Sequence, residues 1–404
     1  MRKAAWLLPN FLEGSGGHRT ILQNAQYLTE RGFICDVYVE DNGEVRTDSE
    51  IAKQVEKYFG ESSCHFILGY NVKSDYDIVF ATAWYTAKIV RDLDTKAKKV
   101  YFVQDFEALF NPMGDGYLLA SNSYCYGLHP ITIGRWLTQK MQEEYNTASQ
   151  YFDFCYDKEV YRPLNLPREN AICFIYQPDK PRRCHIIGTE ALGIVKHLRP
   201  DIKIYLYGSR EKGHIWFEHH NLGIISIDDC NALYNRCRVG FCISSSNPSR
   251  IPFEMMATGL PVVDLHMENN LYDIPEGGAL LAYPTPESIA EAIIRIYDNA
   301  ALQQSMSQNG IRFMEGKTLE YGYAQFFHAV DMILTQPDIQ PSYIEKIYFQ
   351  LPIQGDNSSL HIKQKTLPYA GEHKGFISRL KQNPVLRKSK LLRRFWRWMK
   401  RIFS

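Results

Sequence analysis

The sequence predicts an α/β protein with two parallel-sheet domains of similar size and a basic amphipathic tail. Three observations point there. Short apolar runs alternate with longer amphipathic ones, the pattern of a parallel sheet covered on both faces. The alternation pauses at Asp157–Asn170, which holds Pro163 and Pro167, and then restarts. Charge is also split along the chain. The 404 residues carry 46 Lys+Arg against 45 Asp+Glu, but eleven of the basic residues and no acidic ones lie in 374–404. Residues 1–373 are left with 35 against 45, a net of −10. The expected division is a first domain over 1–156, a linker over 157–170, a second domain over 171–335, and an extended segment with the tail over 336–404.

In the first domain, Ala4–Leu8 reads as a strand, followed by the glycine-rich stretch Glu13–Gly17. Arg19–Glu30 places Ile21, Leu22, Ala25 and Leu28 at helical spacing and ends at Gly32. Strands are expected at Ile34–Val39, Asp77–Ala81, Lys99–Val103, Ile131–Ile133 and Tyr151–Phe154. Helices are expected near Thr86–Leu93 and Arg135–Tyr145. In the second domain, strands are expected at Ala171–Tyr176, Lys203–Gly208, Ile224–Ile227, Val239–Ile243 and Pro261–Leu265. Cys184–His197 and Pro286–Asp298 read as helices, with more helix to Leu334. Gln336–Gly371 has four prolines and little periodicity, so it is expected to be extended or partly disordered.

Composition excludes several classes. With 45% hydrophobic and 23% charged residues, the chain is neither a disordered segment nor a disulfide scaffold. Its nine cysteines are scattered without a Cys-x-x-Cys pair, which fits buried thiols in a reducing compartment and no zinc. The apolar run after Met1-Arg2-Lys3 stops at Pro9, too short for a secretory core, and no stretch approaches the ~18 apolar residues of a membrane span. A cytoplasmic protein is expected. The acidic body argues against a nucleic-acid partner.

Four constellations bear chemistry. Gly14-Ser15-Gly16-Gly17-His18-Arg19 lies between a strand and a helix. It is either a tight turn or a loop whose amides meet an anion at the helix N-terminus. Asp105 and Glu107, in Val103-Gln104-Asp105-Phe106-Glu107, end a strand on the ligand face of the sheet. They suit a general base or a group that orients a sugar hydroxyl, or else a loop carboxylate or helix cap. Asp75-Tyr76-Asp77 resembles a metal-binding Asp-x-Asp, but it precedes its strand where such a pair would follow one, and it reads as a charged turn. Arg182 and Arg183, at a helix start where cations oppose the dipole, suit a phosphate clamp or a solvated pair. The fourth stretch, Ser244–Val263, is the most specific. A small-residue loop with Ser246, Asn247 and Ser249 leads into a helix carrying Glu254, which suits ribose hydroxyls and phosphate oxygens.

That last stretch resembles the donor-site motif of GT-B glycosyltransferases of family 4, in which two glutamates are separated by seven residues. Glu254 matches the second, which in the family holds the donor ribose. Ser246 stands where the first, a donor-sugar contact, would be. Gly16-Gly17 resembles the family's loop under the donor phosphates, and Arg182 or Arg183 takes the place of its phosphate-binding lysine. Gly16–Thr20, Val103–Glu107, Gly134-Arg135-Trp136-Leu137, Pro181–Arg183 and Asn247-Pro248-Ser249 together are most similar to the WsaF-type bacterial rhamnosyltransferases. The resemblance implies two Rossmann-like domains facing across a cleft. It further implies dTDP-L-rhamnose as donor, a growing lipid-linked surface polysaccharide as acceptor, retention at the anomeric carbon, and no metal or other cofactor. Asp105 and Glu107 are then the catalytic candidates. The donor-binding candidates are Gly16, Gly17, Arg182, Arg183, Ser246, Asn247, Ser249 and Glu254. Alternatives within the fold are another nucleotide-sugar transferase, a hexose epimerase, or a binding protein without catalysis.

In the tail, Leu391, Leu392, Phe395, Trp398, Met399, Ile402 and Phe403 recur at helical spacing among Arg and Lys. Residues 384–404 therefore read as an interfacial helix on an anionic membrane surface, with a helix docked on the acidic body as the alternative. The expected location is peripheral, on the inner face of the cell membrane.

Overall fold

The computed structural model describes residues 1–43, 46–211, 213–336, 340 and 344–355. The tail expectation for 384–404 lies outside the described residues.

The first sheet contains β1 (Arg2–Leu8), β2 (Phe33–Val39), β3 (His65–Leu68), β4 (Ile78–Ala81), β5 (Lys98–Val103), β6 (His129–Ile133) and β7 (Gln150–Phe152). Their order is β3-β2-β1-β4-β5-β6-β7, with every pair parallel. Helices α1 (Gly16–Glu30), α2 (Asp48–Phe59), α3 (Trp84–Asp92), α4 (Asp115–Ser123) and α5 (Arg135–Tyr145) run between them. A second parallel sheet has the order β10-β9-β8-β11-β12-β13. Its strands are β8 (Ala171–Ile175), β9 (Lys203–Tyr207), β10 (His220–Asn221), β11 (Val239–Phe241), β12 (Val262–Leu265) and β13 (Ala279–Ala282). The accompanying helices are α6 (His185–Leu198), α7 (Ile227–Arg236), α8 (Ile251–Ala257), α9 (Glu268–Leu271), α10 (Pro286–Tyr297), α11 (Ala300–Met314) and α12 (Leu319–Thr335).

Central strands such as Ala4–Leu8, Ile78–Ala81 and Ala171–Ile175 are buried at every residue, as a sheet covered on both faces requires. In both sheets the first strand in sequence sits inside, so strand order reverses beside it. Ligands of such sheets lie at that reversal, beyond the C-terminal strand ends. The segments after β1, β5, β8 and β11 are therefore placed to meet a ligand.

The main chain crosses between the sheets twice. Outbound, it leaves β7 and reaches β8 through 153–170. Inbound, α12 returns to the first sheet, where Phe326 is fully buried among Trp6, Phe80, Phe102 and Phe152. The crossings touch, since the Tyr156 amide donates to the Lys317 carbonyl at 3.1 Å. Leu319–Thr335 was expected within the second domain, but its packing partner is the first sheet. Its apolar stripe fits the surface left open beside Trp6.

Other expectations also need correction. Ile224–Ile227 is not a strand, because Ser226 caps α7 by accepting from the Asp229 amide at 3.1 Å. The edge strand is instead His220–Asn221. α2, β3, α4, α7 and β13 were not anticipated. Part of the segment expected to be extended or disordered is packed: Tyr348 is buried against the second sheet, where its hydroxyl oxygen accepts from the Leu281 amide at 3.2 Å. Ile353 extends this strap by bonding to β13. Asp75 and Asp77 bind Lys3, as a charged turn would. Among the described residues no helix is long and apolar enough to cross a membrane.

Candidate functional site

α1 begins at Gly16, three residues before the expected start, so the glycines form its first turn. Ser15 caps it, accepting from the His18 amide at 3.3 Å. Gly16 and Gly17 are exposed. Gly17 lies beside the Gln104 side chain: a Cβ there would stand 3.7 Å from its Nε2, an ordinary contact.

Gln104 and Asp105 follow β5 and meet the loop that follows β11. The Asn247 amide donates to Asp105 Oδ1 at 2.8 Å, and the Ser246 hydroxyl donates to Oδ2 at 3.0 Å. Asn247 Nδ2 donates to the carbonyls of Gln104 (3.0 Å) and Ile133 (2.9 Å). Arg182 Nε lies 3.6 Å from Asp105 Oδ2, and its guanidinium covers the Phe110 ring at 4.1 Å. Burial pushes the Asp105 carboxyl up, while Arg182, the Asn247 amide, Arg183 and Ser246 pull it down. Burial likewise lowers Arg182, against the pull of Asp105. A charge on each is thus the condition for the other to stay charged in a dry site. Arg183 Nη1 donates to the Ile243 carbonyl at 3.3 Å, at the end of β11.

Glu254, on α8, stands apart from that joint. Its Oε1 lies 3.9 Å from Arg250 Nε, and Arg250 reaches across to Gln23 Oε1 on α1 at 3.3 Å. Burial raises the Glu254 carboxyl; Arg250, Tyr161 and Arg19 offset this. Ser249 is half-buried at the loop's end.

The structure therefore joins Arg182, Ser246 and Asn247 at Asp105, with Gln104 held by Asn247 and Gly17 beside the Gln104 side chain. It places Glu254 beside Arg19 at the start of the same α1 helix. It does not bring Glu107 to the joint. Glu107 was expected to face the cleft with Asp105, but its carboxylate accepts from the Trp84 amide (2.9 Å) and the Tyr101 hydroxyl (3.2 Å), inside the first domain. It caps α3, whose N-cap residue is Ala83. Asp105 is also not a free carboxylate, being held by two donors from the other domain. Sequence reasoning missed Tyr161, Arg250 and Asp273. Asp273 accepts from the Arg135 amide at 2.8 Å and the Trp136 amide at 3.1 Å, tying the second domain to the start of α5. Such pairings across 138 residues leave no local signal. Among the described residues no group of three or more His, Cys, Asp or Glu is placed to hold a metal ion.

Comparison with known proteins bears on this arrangement. Residues 170–294 match the WsaF C-terminal domain family. The fold is GT-B, and the part of it from 170 to 294 is similar to the C-terminal domain of WsaF. The match covers the strands and loops that carry Arg182, Ser246, Asn247 and Glu254. The chain is also 27% identical over 319 residues to the O-antigen biosynthesis protein RfbC of Myxococcus xanthus. That alignment takes in 76% of this chain and 25% of the relative, so the chain spans a quarter of the relative's length. Solved structures of the same fold include the sucrose-phosphate synthase of Thermosynechococcus elongatus (TM-score 0.62, 15% identity, 82% and 99% of the two chains). Anabaena HepE with UDP-glucose (0.64, 12%, 82% and 99%) and Staphylococcus aureus TarM (0.65, 9%, 83% and 100%) share it too. The glycosyltransferase fold expected from sequence is thus present; fold alone does not choose a substrate.

Proposed function

We propose that this chain is a glycosyltransferase that moves a sugar from a nucleoside diphosphate onto a growing surface polysaccharide. The supporting observation is the joint at the facing strand ends, where glycine amides, a buried Asp–Arg pair and a small-residue loop converge. RfbC's description as an O-antigen biosynthesis protein and the UDP-glucose complex of HepE agree with this class of chemistry.

In this reading the donor diphosphate lies between the exposed start of α1 and Arg182/Arg183. Charge grows on the diphosphate as the anomeric carbon–oxygen bond breaks, and fixed donors aimed there lower that barrier. The acceptor hydroxyl forms the new bond on the same face, giving retention, and its proton passes to the departing phosphate oxygen. Glu254 holds the ribose. Ser246 cannot supply the carboxylate that the motif's first glutamate provides, but it donates to one. Asp105 thus puts a carboxylate beside position 246 from the other domain and orients Arg182. The finer reading is dTDP-L-rhamnose as donor and a lipid-linked glycan as acceptor. Transfer is metal-independent and takes place on the inner face of the cell membrane.

The test is thermal-shift titration with dTDP, UDP and GDP, followed by transfer from labelled nucleotide sugars. Stabilisation by dTDP above the others is expected. Arg182→Ala and Arg183→Ala should each weaken nucleotide binding about tenfold or more, the loss expected when a charged partner is removed. Unchanged affinity in both variants would remove the phosphate assignment. Nucleotide binding without transfer from any donor would instead favour a non-catalytic binding protein, the reading that Ser246 suggests.

A further inference from the structure

The arginines around the joint have partners, with one exception. Arg182 lies against Asp105, Arg183 donates to the Ile243 carbonyl, and Arg250 is shared between Glu254, Gln23 and the Cys155 carbonyl. Arg19 differs. It is half-buried near the start of α1, and among the described residues its guanidinium has no hydrogen bond, ion pair or ring contact. An arginine taken partly out of water ordinarily has an anion beside it, because its charge is no longer fully solvated.

Where that anion belongs follows from the two helices that meet there. Arg250, at the start of α8, reaches Gln23 on α1 at 3.3 Å. Arg19 lies one helical turn before Gln23, and Glu254 one turn after Arg250, a step of about 5.4 Å along each axis. Arg19 accordingly falls on the Glu254 side of that contact, and it is one of the cations that offset the burial of the Glu254 carboxyl. It also follows Gly16 and Gly17 directly, so it stands between the exposed start of α1 and Glu254.

A nucleoside diphosphate fits that place. The α-phosphate is bonded to the ribose 5′-carbon, so a ribose held by Glu254 brings a second anion next to a buried carboxylate. Two like charges so close need a cation beside them. Arg182 is largely offset by Asp105, which leaves Arg183 as the free positive charge at the other end. Arg183 and Arg19 thus provide one uncommitted guanidinium for each phosphate, and a guanidinium binds phosphate oxygens in pairs.

We propose that Arg19 binds the α-phosphate of the donor, so that the first domain supplies a side chain to a nucleotide held mainly by the second. The proposal rests on the transferase reading and deepens it by assigning the phosphate next to the ribose.

The test is isothermal titration of the full chain with dTDP, dTMP and thymidine, with UDP, UMP and uridine run alongside. Arg19→Ala is expected to weaken diphosphate and monophosphate alike, about tenfold, because the α-phosphate is common to them, and to leave the nucleoside unchanged. Arg19→Lys, which keeps the charge without the fork, should recover part of the loss. Urea unfolding at the parent's midpoint checks that both variants fold, as expected of a side chain with no partner in the protein. Parent affinity for every ligand in Arg19→Ala would overturn the proposal and leave the transferase reading standing. A loss confined to the diphosphates would place Arg19 on the other phosphate and overturn it as well. So would an equal loss for the nucleoside, since Arg19 would then act only by offsetting Glu254. No binding of either diphosphate to the parent chain would count against the transferase reading itself and take this assignment with it.

Discussion

Glu107 is a carboxylate that the fold uses as a helix cap. Burial holds it at about 7, above the ordinary 4.5, although the Trp84 amide and Tyr101 hydroxyl pull the other way and Asp105 adds to the rise. Folding therefore takes up a proton between these values. The sign follows: its contribution is most favourable below pH 4.5 and is lost as pH rises through about 7. Glu107→Gln keeps an acceptor for the Trp84 amide and removes the titration. Urea unfolding of that variant is expected to show a flatter dependence of stability on pH across this window than the parent chain. An identical slope in both would assign the dependence to another group. Asp105 illustrates the opposite use of a carboxylate. Its two oxygens bind Ser246 and Asn247, so it positions another domain's loop and is not available as a bare base.

Among the elements, α5 shows most clearly what local sequence can and cannot say. Its span from Arg135 is legible from apolar spacing. Its cap is not, because Gly134 has no side chain and the acceptor comes from Asp273, beyond the second sheet's fourth and fifth strands. Asp273→Ala strands the Arg135 and Trp136 amides and should cost about 1–3 kcal/mol in urea unfolding. Asp273→Asn, with one acceptor left, should fall between; equal stability for all three would show that the carboxylate does not cap the helix. The same limit explains the other misses. α2 buries only Ile51 and Val55, too sparse a stripe to stand out, although Thr47 and Glu50 form its capping box. Ile224 and Ile227 looked like strand residues because they are apolar, yet both are exposed. By contrast, the fully buried strands were legible because a run such as Ala4–Leu8 has no polar residue to place in water. In the site, motif residues were legible one by one; the partner each would find, Glu107 with α3 and Asp105 with Asn247, was not.

At the scale of the whole molecule, α12 binds the end of the second domain's helices to the first sheet. Phe326 sits within 6.0 Å, centroid to centroid, of the Trp6, Phe80, Phe102 and Phe152 rings. Phe326→Ala should cost about 3–5 kcal/mol, the range for emptying a fully buried aromatic site. Denaturant unfolding followed by tryptophan fluorescence reads the loss; a shift under about 1 kcal/mol would mean that the first domain closes without this ring. The return crossing also has a consequence for the order in which the protein is made. When β7 leaves the ribosome the first sheet has all its strands, but the ring that covers Trp6 is still untranslated. The nascent first domain must wait, with an aromatic surface open to water, until the second domain and α12 have been synthesised. Its final closure is therefore a late event of synthesis, and a chaperone that shields aromatic surface would find its substrate in that interval.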